Sequence, residues 1–184
     1  MNFVKNLREI TIEYINKLAA QSAQIEVLDH DRADYKQSTY LDKRRDLVKQ
    51  QEDILNEGRY KILDVVNGYK QDLTVRYCAK GGDITDDAKL FTGNIPLAQS
   101  DIEALVDKYT AVDNMTMLRI IFDYASNHDI YIDRAYYTEE MRAQAADVLG
   151  ETMSGALTSD MTGAFVQNDS FFYQSMVPPA LAGE

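Results

Sequence analysis

The chain has 184 residues, 45% of them apolar and 27% charged, with a mean hydropathy of −0.37 and a formal net charge of −11. No apolar run approaches the roughly 20 residues of a membrane-spanning helix, and a sequence pI near 4.6 argues against contact with nucleic-acid phosphates, which needs clustered Lys and Arg. The single cysteine, Cys78, excludes an intrachain disulfide and fits a reducing compartment.

The charge is unevenly placed. Residues 1–80 hold 14 bases and 13 acids and sum to +1, whereas residues 81–184 hold 5 bases and 17 acids and sum to −12. No base follows Arg142. The first part has the chemistry of long solvated helices, and its lack of proline permits them. The opening Met1-Asn2-Phe3-Val4-Lys5 mixes charge with apolar spacing at once and predicts no secretory signal.

Residues 3–28 place Phe3, Leu7, Ile10, Tyr14, Leu18, Ile25 and Leu28 on one stripe, the pattern of an amphipathic helix. Residues 29–38 are polar and predict a turn, with Ser38 or Thr39 capping the next helix. Over 40–79, Leu41, Val48, Leu55, Ile62 and Tyr69 recur every seventh residue. Such spacing makes a coiled-coil-like seam. The companion positions Arg45, Glu52 and Arg59 are charged, so the seam is narrow up to Gly58 and broad beyond it. The seam is expected to meet a partner helix over 40–57 and to enter a fuller core over 58–79.

Gly81-Gly82 is expected to end this helix in a left-handed stop. Residues 81–100 read as a connector, with a short turn after Thr85 and an extended Asn94-Ile95-Pro96. Ser100 with Glu103 reads as a capping box opening a helix with Ile102, Leu105, Val106 and Tyr109 inward. A second start at Asp113 or Asn114 places Met117, Leu118, Ile121, Phe122 and Ala125 inward and stops at Asn127-His128-Asp129. Ile130-Tyr131-Ile132 fits a short strand or a helical linker. A last clear helix starts at Thr138 and runs to about Leu157. Residues 158–184 are apolar and aromatic, too apolar for ordinary disorder. They read as an extended tail lying on its own domain or on another chain.

The fold class is therefore mostly α: long amphipathic helices over 1–80, as a helical hairpin or an extended coiled-coil-like arm, a connector over 81–100, a small acidic helical domain over 101–157, and the tail. Candidate chemistry reads plainly. His30 and His128 each adjoin carboxylates, but neighbours on a helix point in different directions, so they read as solvated turn residues and not as ligands. Cys78 lacks a base beyond Lys80 and reads as a half-buried helical residue. Asp83, Asp86 and Asp87 resemble half a calcium loop without its glycine and bidentate glutamate. No catalytic, metal or cofactor residue is assigned. Twelve tyrosines, with Tyr136-Tyr137 and Phe171-Phe172-Tyr173 clustered, suit contact surfaces.

Asp101-Ile102-Glu103-Ala104-Leu105-Val106-Asp107-Lys108-Tyr109 and Asn114-Met115-Thr116-Met117-Leu118-Arg119-Ile120-Ile121-Phe122-Asp123-Tyr124-Ala125 resemble stretches of uncharacterised proteins from the structural gene blocks of tailed bacteriophages. The charged N-terminal region is similar in style to phage scaffolding proteins. Those commonly end in a basic helix, which this chain lacks, so the resemblance implies the broader class of virion or assembly component. It implies a non-enzymatic protein in the virion or host cytoplasm whose partners are itself and other phage structural proteins, with no direct contact to nucleic acid or membrane. The seam Leu41, Val48, Leu55, Ile62, Tyr69 and the tail residues Phe165, Phe171, Phe172, Tyr173, Met176 and Val177 are the expected contacts. The alternative is an acidic inhibitor that mimics nucleic acid and blocks a host nucleic-acid enzyme.

Overall fold

The computed structural model describes residues 2–93 and 96–182, and among these the chain is helical with no strand. The mostly α class read from the sequence is the observed one. The chain divides into two compact units: residues 1–70 with 141–184, and residues 71–140. These cut across the divisions expected at 80, 100 and 157, because the second unit is inserted between two parts of the first.

In the first unit, Asn2 caps α1 (Phe3–His30) by accepting the Lys5 amide at 2.8 Å. The apolar stripe does what its spacing demands, and Phe3, Leu7, Tyr14, Leu18 and Leu28 are buried. A single 3₁₀ turn, Asp31–Asp34, reverses the chain into α2 (Gln37–Tyr77), so the predicted turn is present. Ser38 and Thr39 lie inside the first turn of α2 and are not its cap. The two helices form an antiparallel hairpin. Phe3 stacks on Tyr69 at 4.1 Å near its base, and Tyr40 donates to Asp29 at 2.7 Å near its tip. Between them, Gln21 donates to the Leu47 carbonyl at 2.9 Å and Gln51 to Ser22 at 2.9 Å.

Helix α5 (Glu139–Ala156) supplies the third layer, antiparallel to α2. Lys70 meets Asp147 at 2.9 Å, and Gly150 lies against Val66. The end of α5 arrives at Gly58, where an added Cβ would stand 3.0 Å from Leu157 Cδ1.

Residues 158–182 are not the extended tail that the sequence suggests. They fold as α6 (Asp160–Gln167), a turn at Asp169–Phe171, a π-helical turn over Phe172–Met176 and a 3₁₀ turn over Pro179–Leu181. Val166, Phe172 and Leu181 are fully buried. The reason lies far upstream. Arg8 of α1 donates to the Val166 carbonyl at 2.8 Å, the Gln167 carbonyl at 3.0 Å and the Asp169 carboxylate at 2.6 Å. Its guanidinium also lies 5.3 Å from the centre of the Phe172 ring. The base that residues 158–184 lack is supplied by the first helix.

In the second unit, α2 runs out at Tyr77, before Gly81-Gly82. Neither glycine takes a positive φ; Gly81 instead opens a 3₁₀ turn through Asp83. The left-handed residues are Asp113 (φ 52°) and Asp129 (φ 53°), which follow α3 (Gln99–Ala111) and α4 (Met115–Asn127). Aspartate tolerates that region better than most side chains. Arg76 holds the Asp113 carboxylate through Nε at 2.9 Å and Nη2 at 2.6 Å.

Helix α3 starts one residue before Ser100. Asp101 accepts the Ala98 amide at 2.9 Å, so half of a capping box is present, shifted from the expected position. Asn114 caps α4, accepting the Met117 amide at 2.9 Å. Ile102, Val106, Tyr109, Met117, Leu118, Ile121 and Ala125 form the core, as their periodicity required. Ile130 and Ile132 pack against that core from a loop, not from a strand. Cys78 is exposed just past the end of α2, not half-buried in it. Of the extended segment expected at Asn94-Ile95-Pro96, Asn94 and Ile95 lie outside the described residues.

Candidate interaction surface

The sevenfold seam of α2 changes character along the hairpin. Ile62 and Tyr69 are buried against their own unit, so these two expected partner contacts are core residues. The physical cause is α5, which covers α2 from Lys70 to Gly58, together with Phe3 of α1 stacked on Tyr69. Beyond Gly58 that cover ends. Leu55 and Val48 are half-buried and Leu41 is 52% exposed.

Two shallow grooves follow the uncovered stretch. One, of about 530 Å³, runs between Ile15, Leu18 and Ala19 of α1 and Leu55 of α2, ending at the Leu157–Asp160 turn. The other, of about 380 Å³, is lined by Leu41, Arg44, Arg45, Val48, Lys49 and Glu52 on α2 alone. The contact between α1 and α2 over the same stretch is partly polar, through Gln21, Ser22, Gln50 and Gln51. Over this stretch α2 thus exposes Leu41 while Gln50 and Gln51 turn toward α1.

Residues 158–182 present a second surface. Phe165 (37% exposed) stacks on Phe171 at 4.4 Å, and Tyr173 (44% exposed) stands edge-on to Phe172 at 5.1 Å. Met176 and Val177 are half-buried. Phe172 is wholly inside and drops from the expected contacts, because Arg8 lies over its ring. Sequence reasoning passed over Arg8 and Gly150. An arginine whose partners are backbone carbonyls 158 and 159 residues away leaves no local signal.

Most of the titratable groups that depart from their ordinary values do so through ion pairs and local hydrogen bonds. Tyr40 above all, then Arg44, holds the Asp29 carboxyl below the usual carboxylate range. In the second unit Lys108, then the Tyr109 hydroxyl, does the same for Asp87, at 2.6 and 2.7 Å. Thr85, expected to cap a turn, makes a short contact to Tyr109 instead. Burial and a hydrogen bond to Glu57 push Tyr14 up. His30 ends α1 and His128 follows α4 with its ring stacked on Tyr124 at 4.0 Å. Among the described residues no three His, Cys, Asp or Glu side chains converge as a metal site would require, and no helix is long and apolar enough to cross a membrane.

Asp87 yields a pH prediction. Its folded pKa lies below its unfolded one, so its contribution is complete above about pH 4 and is lost as pH falls through the folded value. Asp87→Asn is expected to flatten the loss of thermal stability on acidification. Asp86→Asn, whose partner Lys89 is almost fully exposed, should not. Parallel melting curves for wild type and Asp87→Asn across the acid range would contradict this.

No protein-family model, curated protein or solved structure matches the chain.

Proposed function

We propose that the chain is a non-enzymatic structural or assembly protein of a tailed bacteriophage, working in the virion or host cytoplasm through contacts with itself and with other phage structural proteins. The observation that carries the reading is the seam at the hairpin tip. Leu41, Val48 and Leu55 continue the line that α5 covers nearer the base, and there its cover thins, with Leu55 and Val48 half-buried and Leu41 exposed. A run of apolar side chains on a regular helical face contributes most when a second helix is laid on it. The stacked Phe165–Phe171 pair with Tyr173 adds a smaller aromatic surface suited to a contact with a wet rim. The resemblance of residues 101–133 to phage proteins supplies the class of partner.

Mass spectrometry of gradient-purified particles and precursors from an infected host tests the reading. The chain is expected in one of them. Leu41→Glu with Val48→Glu should be absent from both while its helical content and melting temperature stay close to wild type, because Leu41 is exposed and Val48 only half-buried. Absence of the wild-type chain from every particle form, or full incorporation of the variant, would overturn it.

A further inference from the structure

The open stretch of α2 has a defined length and a charge order that together select its occupant. We propose that the hairpin tip pairs with the tip of a second copy of this chain, antiparallel and related by a twofold axis near Val48. The proposal rests on the reading above, that this seam is a contact surface, and it names the partner.

The first argument is continuity. Helix α5 lies on α2 from Lys70 to Gly58 and stops there, with Leu157 against Gly58. From Gly58 to the start of α2 at Gln37 the same line of the helix is only partly covered: Leu55 and Val48 are half-buried and Leu41 is exposed. That segment spans about 30 Å at roughly 1.5 Å per residue. A second α2 laid antiparallel along it meets the end of α5 with its own start only if the axis falls midway, between Leu47 and Val48. The copy's tip then abuts the Leu157–Asp160 turn, and each copy fills the groove the other leaves open.

The second argument is charge. On the outer groove, Arg44 and Arg45 lie toward the tip from Val48, and Glu52 lies toward the base. An antiparallel copy on this axis brings the arginines of each chain to Glu52 of the other, and Leu41 to Leu55, each contact made twice as an isologous interface requires. A parallel copy would set Arg45 on Arg45 and Glu52 on Glu52. Within one chain Arg45 pairs with Asp42, three residues away, and Arg44 with Asp29 at 3.1 Å, both exposed pairs that cost little to exchange. The charged companion positions that narrow the seam therefore fix its direction, as polar core positions do in coiled coils.

Cysteine cross-linking in a Cys78→Ser background tests this, alongside solution mass at low and high protein concentration. Val48→Cys should oxidise to a covalent dimer. Leu41→Cys alone should stay monomeric on a non-reducing gel, while a mixture of Leu41→Cys and Leu55→Cys should cross-link. Glu52→Arg should weaken the dimer about tenfold, and adding Arg44→Glu and Arg45→Glu should restore it. A mass of one chain at every concentration overturns the proposal, as does self-linking of Leu41→Cys equal to that of Val48→Cys. A strict monomer that still enters particles would remove the second copy and leave the assembly reading. A dimer found in no particle would do the reverse.

Discussion

Arg8→Ala is expected to lose about 3 kcal/mol of stability, the scale of charge-assisted hydrogen bonds broken together with stranded carbonyls. In a chain of this size that is a fall in melting temperature of roughly 6–12 °C. The side chain is only 14% exposed, and its guanidinium serves three acceptors on two sides of the α6 terminus. Its flat face also covers Phe172 and Tyr173 at 5.3 and 5.8 Å from the ring centres. Lysine cannot fork between two carbonyls and a carboxylate, so Arg8→Lys should recover less than half of the loss. Phe172→Ala removes the ring that the arginine covers and should cost about 3–5 kcal/mol, the usual range for a buried aromatic. Hydrogen exchange gives the discriminating readout. In Arg8→Ala the amides of α6 should lose protection well before those of α1 and α2. Uniform loss across the unit would show that Arg8 supports the whole hairpin and does not specifically hold residues 160–182.

The parts of this fold that were legible in the sequence are those set by local periodicity. Phe3, Leu7, Tyr14 and Leu18 sit four or seven residues apart and bury as a stripe; Ile102, Val106 and Tyr109, and Met117 and Ile121, sit four or three apart and do the same on two shorter helices. Asn114 shows its capping role because the side chain bonds an amide three residues away. What was illegible is long-range. Residues 158–182 read as a loose tail because their cation sits at position 8. Ile62 and Tyr69 read as partner contacts because the sevenfold repeat does not announce where α5 will end. The stop after Tyr77 read as a glycine stop because Gly81-Gly82 is a strong local signal, yet the left-handed positions went to Asp113 and Asp129. The seam itself was visible; how much of it stays open follows from one contact, Leu157 on Gly58.

That contact gives the second large effect. The helical glycines of the first unit include Gly58 and Gly68 on α2 and Gly150 on α5. On propensity alone, alanine should stabilise each by about 1 kcal/mol. Their surroundings separate them. A Cβ at Gly68 would meet nothing within 4 Å, so Gly68→Ala is expected to keep the full gain. At Gly58 a Cβ would stand 2.9 Å from two atoms of the Tyr14 ring as well as 3.0 Å from Leu157. Those ring atoms are at the root of a buried side chain, not at a free end, so relief requires α1 to move. Overpacking of this kind costs about 1–3 kcal/mol, and it outweighs the propensity gain. Gly58→Ala should therefore lose about 1–2 kcal/mol net. Gly150→Ala follows the same sign, since its Cβ would lie 2.7 Å from Val66 Cγ2 on α2. Chemical denaturation of the three single variants decides the matter. Opposite signs at Gly68 and Gly58 would establish that α1, α2 and the end of α5 meet where the structure places them. A stabilising Gly58→Ala would mean that Leu157 and Tyr14 do not close on that position, and the cover of α2 would then end somewhere other than Gly58.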